Sequence, residues 1–435
     1  MHHDSAPSGA PRTGVAPGVT PRLLRTIDGV EDLDAYRADG GYRALARTDA
    51  LLSEVSASGL RGRGGAGFPA AIKLSGVRAA ARAGSPTVAV ANGEEGEPAS
   101  VKDRWLMRRR PHLVLDGLRL AAAVAGARRA VVYLSDTESA RSVDRALTEL
   151  DSAGLVEVPI ELVVVDPGYV AGEETAAVRA ISGGPARPTD KPPRPFECGV
   201  DGLPTLVSNV ETLANLPWIH ANGGAAFRAA GTEGSPGTFL ATVTGGGREP
   251  GLYEVAHGTP VRTLLDLHGV PASAVRGAMA GGYFSGLTGP RILDATLDHE
   301  SLGALGGGLG CGAIALLTEE CPVAVAAAVL AYFDRENAGQ CGSCFNGTAA
   351  MAAAATALYE QRARAGAVAD LRRWSTVLRG RGACGTLDAA TGTAAGLLAE
   401  FPGRVAAHLA GRCAECADPA PLPVRPFAAE TAVLA

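Results

Sequence analysis

The 435 residues predict an α/β protein in three parts: a parallel-sheet core, a small strand-rich middle region and a C-terminal helical bundle. Three observations carry this. Short apolar runs alternate with helix-period segments between Thr87 and Val165. From about Gly237 the texture changes to short strands and turns, and beyond Cys321 the chain is alanine-rich and helical to about Leu409. A chain of this length has ample material for two or three cores. With 46% hydrophobic residues and a net charge of −5, nothing suggests disorder or a polyanion partner, so no nucleic acid is expected.

Residues 1–20 lack an apolar signal core and read as a disordered arm, which with reduced cysteines points to a cytoplasmic protein. A helix over 46–57 precedes Ser58-Gly-Leu-Arg-Gly-Arg-Gly-Gly-Ala-Gly-Phe-Pro69, and a second helix starts near Pro69. Because a helix and not a strand comes first, Gly62, Gly64 and Gly67 do not make a Rossmann dinucleotide fingerprint. Thr87–Ala91 is a strand ending in Asn92-Gly-Glu-Glu-Gly-Glu-Pro98. A helix over Leu113–Ala125, a strand over Ala130–Leu134, a helix over Glu138–Asp151 and a strand over Ile160–Val165 complete a βαβαβ layer. The last strand runs into a second acidic turn, Asp166 to Thr175, which opens a helix. A proline-rich connector, 185–195, leads to Ser208-Asn-Val-Glu-Thr212, where Ser208 or Asn209 caps a further helix. Strands at Thr238–Thr244, Gly251–Val255 and Ala278–Tyr283 with a helix at Val261–Leu267 suggest a β-grasp-type middle domain. The boundaries expected are 1–20, 21–235, 236–320, 321–412, and a tail 413–435 carrying Cys413-Ala-Glu-Cys416. The longest apolar run, 313–333, is broken by Thr318-Glu-Glu-Cys-Pro322, so the chain is not expected to span a membrane.

The glycine loop has the composition of an anion cradle. Glycines let successive backbone N–H groups converge without Cβ interference, Arg61, Arg63 and Lys73 add charge, and the following helix aims its positive end at the same point. The acidic turns lie at strand ends, where open α/β sheets bind ligands. Cys341-Gly-Ser-Cys344 and Cys384 sit at two helix breaks, at 339–347 and 380–385, from which three thiolates can meet. That spacing suits an iron–sulfur cluster or zinc, and Cys413 and Cys416 add two candidate thiols. Cys198, Cys311 and Cys321 read as core or boundary residues, and the eight histidines show no ligand spacing.

Taken in order, GLRGRGGAGFP, NGEEGEP with KDR, GYVAGEET, KPPRP, SNVETLAN and ENAGQCGSCFNG with a late Cys384 resemble the NADH-oxidising flavin subunit of respiratory complex I and its relatives in NAD-linked hydrogenases and formate dehydrogenases. The resemblance runs from about Leu51 to about Leu409. It implies a Rossmann-like FMN-binding core, a ubiquitin-like middle domain and a bundle holding a 4Fe-4S cluster. The implied chemistry is hydride transfer from NADH to FMN followed by one-electron transfer. On the family's pattern Gly62, Arg63, Gly65 and Lys73 bind the FMN phosphate, and Phe68 stacks on the nucleotide. Asn92, Glu94 and Glu95 face the isoalloxazine and ribityl chain, and Glu97 enters the NADH pocket. Tyr169, Gly172, Glu173 and Glu174 form a second wall, Ser208, Asn209 and Thr212 a third, and Lys191 belongs to the KPPRP segment. Carboxylates near a ribose disfavour a 2′-phosphate, so NADH is expected over NADPH. Hydride transfer on a flavin needs no protein acid or base.

Two departures stand out. Ala338 occupies the position of the cluster's first cysteine, leaving Cys341, Cys344 and Cys384. The fourth ligand would then be an exogenous thiol, water, Cys413 or Cys416, with a 3Fe-4S cluster or an empty site as alternatives. Arg194 stands where the family offers a phenylalanine beside the adenine; its guanidinium can stack on a purine or accept an added phosphate. The expected protein is a diverged NADH dehydrogenase subunit delivering electrons to a small iron–sulfur protein, with a hydrogenase or formate dehydrogenase subunit, or a cluster-less scaffold, as alternatives.

Overall fold

The structure, a computed structural model, describes residues 12–25 and 29–429. Part of the expected disordered arm is ordered. Strand β1, Arg12–Val15, pairs in parallel with β7, Gly251–Ala256. Just beyond it the N–H groups of Arg22, Leu23 and Leu24 converge on the buried Glu254 carboxylate, at 2.8 to 3.0 Å. This segment is short and broken by Pro17, Gly18 and Pro21, so periodicity does not reveal it; an open sheet edge and a buried carboxylate hold it in place. The rest of the expected arm lies outside the described residues.

The first sheet is wholly parallel, in the order β4-β3-β2-β5, from β2 (Val88–Asn92), β3 (Arg129–Leu134), β4 (Ile160–Val164) and β5 (Thr205–Asn209). Period-two alternation splits β2 between two cores. Ala89 and Ala91 face the layer containing the Ala70–Arg82 and Pro111–Ala125 helices, whereas Val88 and Val90 face the Glu174–Ile181 helix. Strand β5 is an addition to the expected layer. Its run Thr-Leu-Val-Ser-Asn is too short to stand out, and Asn209, expected to start a helix, both ends the strand and caps Val210–Ala214 through Glu211 N–H. In register, Asn209 lies beside Asn92 at the carboxyl ends of the strands.

The second sheet has the order β1-β7-β6-β9-β8, with β6 at Thr238–Gly245, β8 at Gly277–Ala280 and β9 at Ala313–Leu317. Strand β6 forms an antiparallel hairpin with β7 and runs parallel to β9, which is antiparallel to β8. Leu264 and Leu265 of the Val261–His268 helix pack on one face. Five helices follow, Pro322–Glu336, Gly342–Tyr359, Ala367–Val377, Thr386–Glu400 and Pro402–Leu409, and share one apolar core with Leu330, Met351, Leu371, Leu387 and Val405. Among the described residues no helix is long and apolar enough to cross a membrane.

Candidate functional site

The glycine loop joins the Thr48–Ser58 and Ala70–Arg82 helices and is closed at its base by Gly62 N–H to Phe68 O (2.8 Å) and Ala70 N–H to Leu60 O (2.9 Å). Between these ties, the N–H groups of Gly64, Gly65, Ala66 and Gly67 take no acceptor among the described residues. Gly65 has φ +119°, a backbone that side chains rarely adopt, with open space where a Cβ would stand. The loop lines a cavity of about 520 Å³ at the carboxyl edge of the parallel sheet.

The same cavity gathers the expected positions Gly62, Gly65, Phe68, Lys73, Asn92, Glu94, Glu95, Glu97, Tyr169, Gly172, Glu173, Glu174, Lys191, Ser208, Asn209 and Thr212. Arg63 is the exception. Its guanidinium is buried and turned toward the second sheet, donating to Thr238 O (3.0 Å) and Pro236 O (3.4 Å), while its own N–H bonds Thr212 Oγ1 (2.8 Å). Burial, only partly offset by Glu211, lowers its pKa to about 10. Arg63 therefore ties the loop to the middle sheet and offers no charge to the cavity.

The two acidic turns touch. Asn92 Nδ2 donates to Gly172 O at 2.9 Å, and a Cβ on Gly172 would come within 2.7 Å of Glu94 O, so glycine is needed for that approach. Their carboxylates have different employments. Glu95 accepts from Asp103 N–H and Arg104 N–H and pairs with the Arg104 guanidinium at 3.3 Å, starting the Lys102–Arg109 helix. Glu173 caps the Glu174–Ile181 helix and pairs with Lys191 at 2.6 Å. Glu174 bonds Lys73 at 2.8 Å and Lys191 at 3.4 Å; burial raises its pKa, but the two lysines outweigh it and the net shift is downward. Glu94 is buried with Oε2 unpartnered, and desolvation raises its pKa. Glu97 accepts from Ala99 N–H (3.3 Å) and Tyr283 N–H (3.0 Å), yet desolvation pushes it up to about 8. Beneath Asn209 the buried Lys102 ammonium sits between Asp103 (2.7 Å) and Glu211 (3.0 Å).

A set of N–H donors without protein acceptors, a lysine and a cavity of this size fit a flavin mononucleotide with its phosphate on the glycine loop. Arg194 lines the cavity as well, and so does Phe196, two positions on, which restores an aromatic to that wall and which no motif marks in the sequence. Phe284 and Cys311 also escape sequence reasoning; neither lies in a motif, and only the tertiary fold brings them to the cavity.

Cys384 and its neighbours Gly385 and Thr386 also line this cavity. Cys341 occupies the N-cap position of the Gly342–Tyr359 helix and its Sγ accepts from Ala383 N–H at 3.4 Å, so the two thiol-bearing turns adjoin. Desolvation, then the neighbouring Cys384 and Cys341, push the buried Cys344 thiol up to about 12. Three soft donors on adjoining turns suit an iron–sulfur cluster with one non-protein ligand. Cys413 and Cys416, expected as candidates for that place, are elsewhere. They converge with Cys321 and His408, so two expectations also change: Cys321 is not merely a core cysteine, and one histidine has ligand geometry. Cys321 immediately precedes the 15-residue Pro322–Glu336 helix, itself about 22 Å long, and Cys341 follows that helix, so the two groups belong to opposite ends of it.

Residues 55–218 match the family described as the Nuo51 FMN-binding domain, and residues 324–408 match the NADH-ubiquinone oxidoreductase-F iron-sulfur binding region. The second F-type subunit of Rhizobium meliloti NADH-quinone oxidoreductase is 36% identical over 351 residues, 75% of this chain and 83% of the relative. The mitochondrial NADH dehydrogenase [ubiquinone] flavoprotein 1 of Dictyostelium discoideum is 33% identical over 81% of this chain and 77% of its own length. An NAD+-reducing [NiFe]-hydrogenase in the H2-reduced state superimposes with a TM-score of 0.78 at 32% identity, covering 83% of this chain and 63% of that one. With both regions matched in order and such relatives aligned over most of their length, this chain belongs to the NADH-quinone oxidoreductase F family of NADH-dehydrogenase flavoproteins, with an FMN-binding domain and an iron–sulfur region.

Proposed function

We propose that the chain oxidises NADH in the cavity and passes the electrons through Cys341, Cys344 and Cys384 to a small iron–sulfur partner protein. The observation that carries this is that one cavity is lined both by the glycine loop and by Cys384. When bound, FMN supplies the two-electron to one-electron conversion that nicotinamide itself cannot perform. The protein's contribution is placement. Gly64 to Gly67 would offer N–H groups to a phosphate, Lys73 would add charge, Asn92 and Asn209 fix the sheet edge that borders the cavity, and Phe68 would supply a face for stacking. Burial raises the pKa of Glu97 to about 8, which lowers the negative charge this wall of the cavity presents to a bound nucleotide. Glu174 and Glu173 favour a ribose hydroxyl over a 2′-phosphate and so support NADH over NADPH, with Arg194 as the opposing charge.

The middle sheet belongs in this reading to the β-grasp class, because hairpin β6–β7, the Val261–His268 helix and a β9 strand parallel to β6 follow that order. The five C-terminal helices form the cluster-bearing bundle, and residues 21–235, 236–320 and 321–412 are the working units, with 12–15 added to the second. The hydrogenase likeness is compatible with one alternative, a flavin subunit within an NAD-linked hydrogenase, and supports it no better than the main reading. Anaerobic purification followed by NADH addition tests the main reading: flavin bands should bleach and an iron signal should appear on reduction. Protein that neither carries nor takes up flavin would refute it.

A further inference from the structure

Cys321, His408, Cys413 and Cys416 are all buried, and their Sγ and Nε2 atoms lie within 4.8 Å of one another. We propose that they bind one structural zinc ion, a site separate from the iron centre that pins the C-terminal segment to the helical domain. The donor set is three thiols and an imidazole, the composition of closed, structural tetrahedral zinc sites. With Zn–S bonds of about 2.3 Å, ligand atoms of a tetrahedron stand about 3.8 Å apart. The observed spacing, including 3.2 Å from Cys321 Sγ to His408 Nε2, closes onto one ion with small side-chain shifts. An iron–sulfur cluster must place iron and sulfide between its thiolates and needs them wider.

The surroundings are those of a prepared ligand set. His408 Nδ1 lies 2.9 Å from Leu358 O; a carbonyl only accepts, so Nδ1 carries the proton and the Nε2 lone pair faces the thiols. Gln361 clamps the cysteine turn by accepting from Cys413 N–H (3.2 Å) and donating to Cys416 O (2.7 Å). Three thiolates and Zn²⁺ leave the site at −1 by formal charge. Arg404 stands at its rim, 2.8 Å from Glu415 within the turn. The ligands come from before the first of the five helices, from the end of the last and from the tail, so one ion closes the whole helical unit. Beyond it the tail runs back across the protein: Tyr359 Oη donates to Ala420 O, Arg335 to Val424 O, and Ala429 N–H to Pro98 O at 2.8 Å, directly behind the turn bearing Glu97. Zinc at this site would therefore hold the strap that backs one wall of the nucleotide cavity.

Elemental analysis of the full-length protein, expressed with iron and zinc both in excess, should give about one zinc per chain beside the iron. Cys416→Ser and His408→Ala should lose zinc and keep iron and flavin, whereas Cys341→Ser and Cys384→Ser should lose iron and keep zinc. His408→Cys should retain zinc, which separates ligand loss from misfolding. Cobalt incorporated in place of zinc should show the visible d–d bands of a tetrahedral thiolate site, a test needing no variant. Limited proteolysis should cut the 414–429 strap sooner once the metal is stripped. The proposal is overturned if zinc-replete protein holds no zinc and cobalt gives no such bands, if iron occupies this site, or if mass spectrometry finds two of these cysteines joined as a disulfide.

Discussion

Lys73 is the side chain whose removal tests the phosphate cradle most directly. In the free protein it bonds Glu174 Oε2 at 2.8 Å and Val207 O at 3.3 Å, and both partners of the ion pair retain some solvent contact. A charge-assisted bond to a phosphate contributes about 1.5 to 3 kcal/mol. Part of that replaces the existing pair with Glu174, which solvent screening holds to about 0.5 kcal/mol. The net, about 1 to 2.5 kcal/mol, corresponds to about a 5- to 60-fold rise in the FMN dissociation constant for Lys73→Ala. A second effect has the same sign: without Lys73, the Glu174 carboxylate keeps only the longer contact to Lys191 and repels the phosphate. Lys73→Ala/Glu174→Gln should thus recover part of the loss, and the double-mutant cycle measures how much. Fluorescence titration of deflavinated protein at fixed ionic strength reads all four constants. If Lys73→Ala binds FMN within twofold of the unmutated protein, the lysine serves only to neutralise Glu174, and the phosphate lies elsewhere.

Glu174→Gln alone should narrow the preference for NADH over NADPH in steady-state kinetics; equal rates already in the unmutated protein would mean that Arg194 overrides the carboxylates. Glu97 holds a proton in the folded apoprotein up to about pH 8, whereas a carboxyl in the unfolded chain loses it near pH 4.5. Its contribution to stability is therefore fully present below that lower value and lost as pH rises through about 8. Thermal melts of Glu97→Gln should fall less between pH 5 and 8 than those of the unmutated protein, and parallel curves would discard the shift. Arg63→Met leaves Thr238 O and Pro236 O unmet and should cost about 1 to 3 kcal/mol of stability in denaturant unfolding, with FMN affinity in the folded fraction unchanged. Cys384→Ala should abolish the iron signal with flavin retained, and Ala338→Cys should slow the conversion of the cluster in air, followed by electron paramagnetic resonance.

How much of this was legible follows from what each signal requires. The strands β2, β3 and β4 and the helices between them were readable because burial on one or both faces imposes long apolar patterns. Most of the cavity was readable because its residues sit in contiguous turns whose glycines and carboxylates the fold brings to one cavity. What escaped depends on contacts between distant segments. Strand β1 exists because β7 offers an edge, and its four residues carry no periodicity of their own. Arg63 looked like a phosphate ligand because composition reports charge and not direction; the same loop that exposes Gly64 to Gly67 turns residue 63 inward. The four-ligand group of Cys321, His408, Cys413 and Cys416 spans 87 positions between Cys321 and His408 alone, so its histidine had no partner at recognisable spacing.

The substitution at position 338 and the thiol group at the other end of the Pro322–Glu336 helix bear on each other. Had Cys413 or Cys416 been free to reach Cys341, the missing thiolate could have been replaced from within the chain and the change at 338 would be chemically silent. Cys413 and Cys416 converge instead with Cys321 and His408, and Cys321 lies at the opposite end of that helix from Cys341, which closes that route. Gln340, beside the turn, is also engaged, donating to Pro188 O at 2.7 Å and accepting from Arg179 at 3.1 Å. One iron of a cluster bound at Cys341, Cys344 and Cys384 is thus left to a ligand from solvent or from a partner protein. An iron with an exchangeable ligand is the one most readily lost to oxidation, and it is also the one a docking partner can complete. The identity of that ligand, and not the flavin chemistry, is where this chain departs from the family's cysteine pattern.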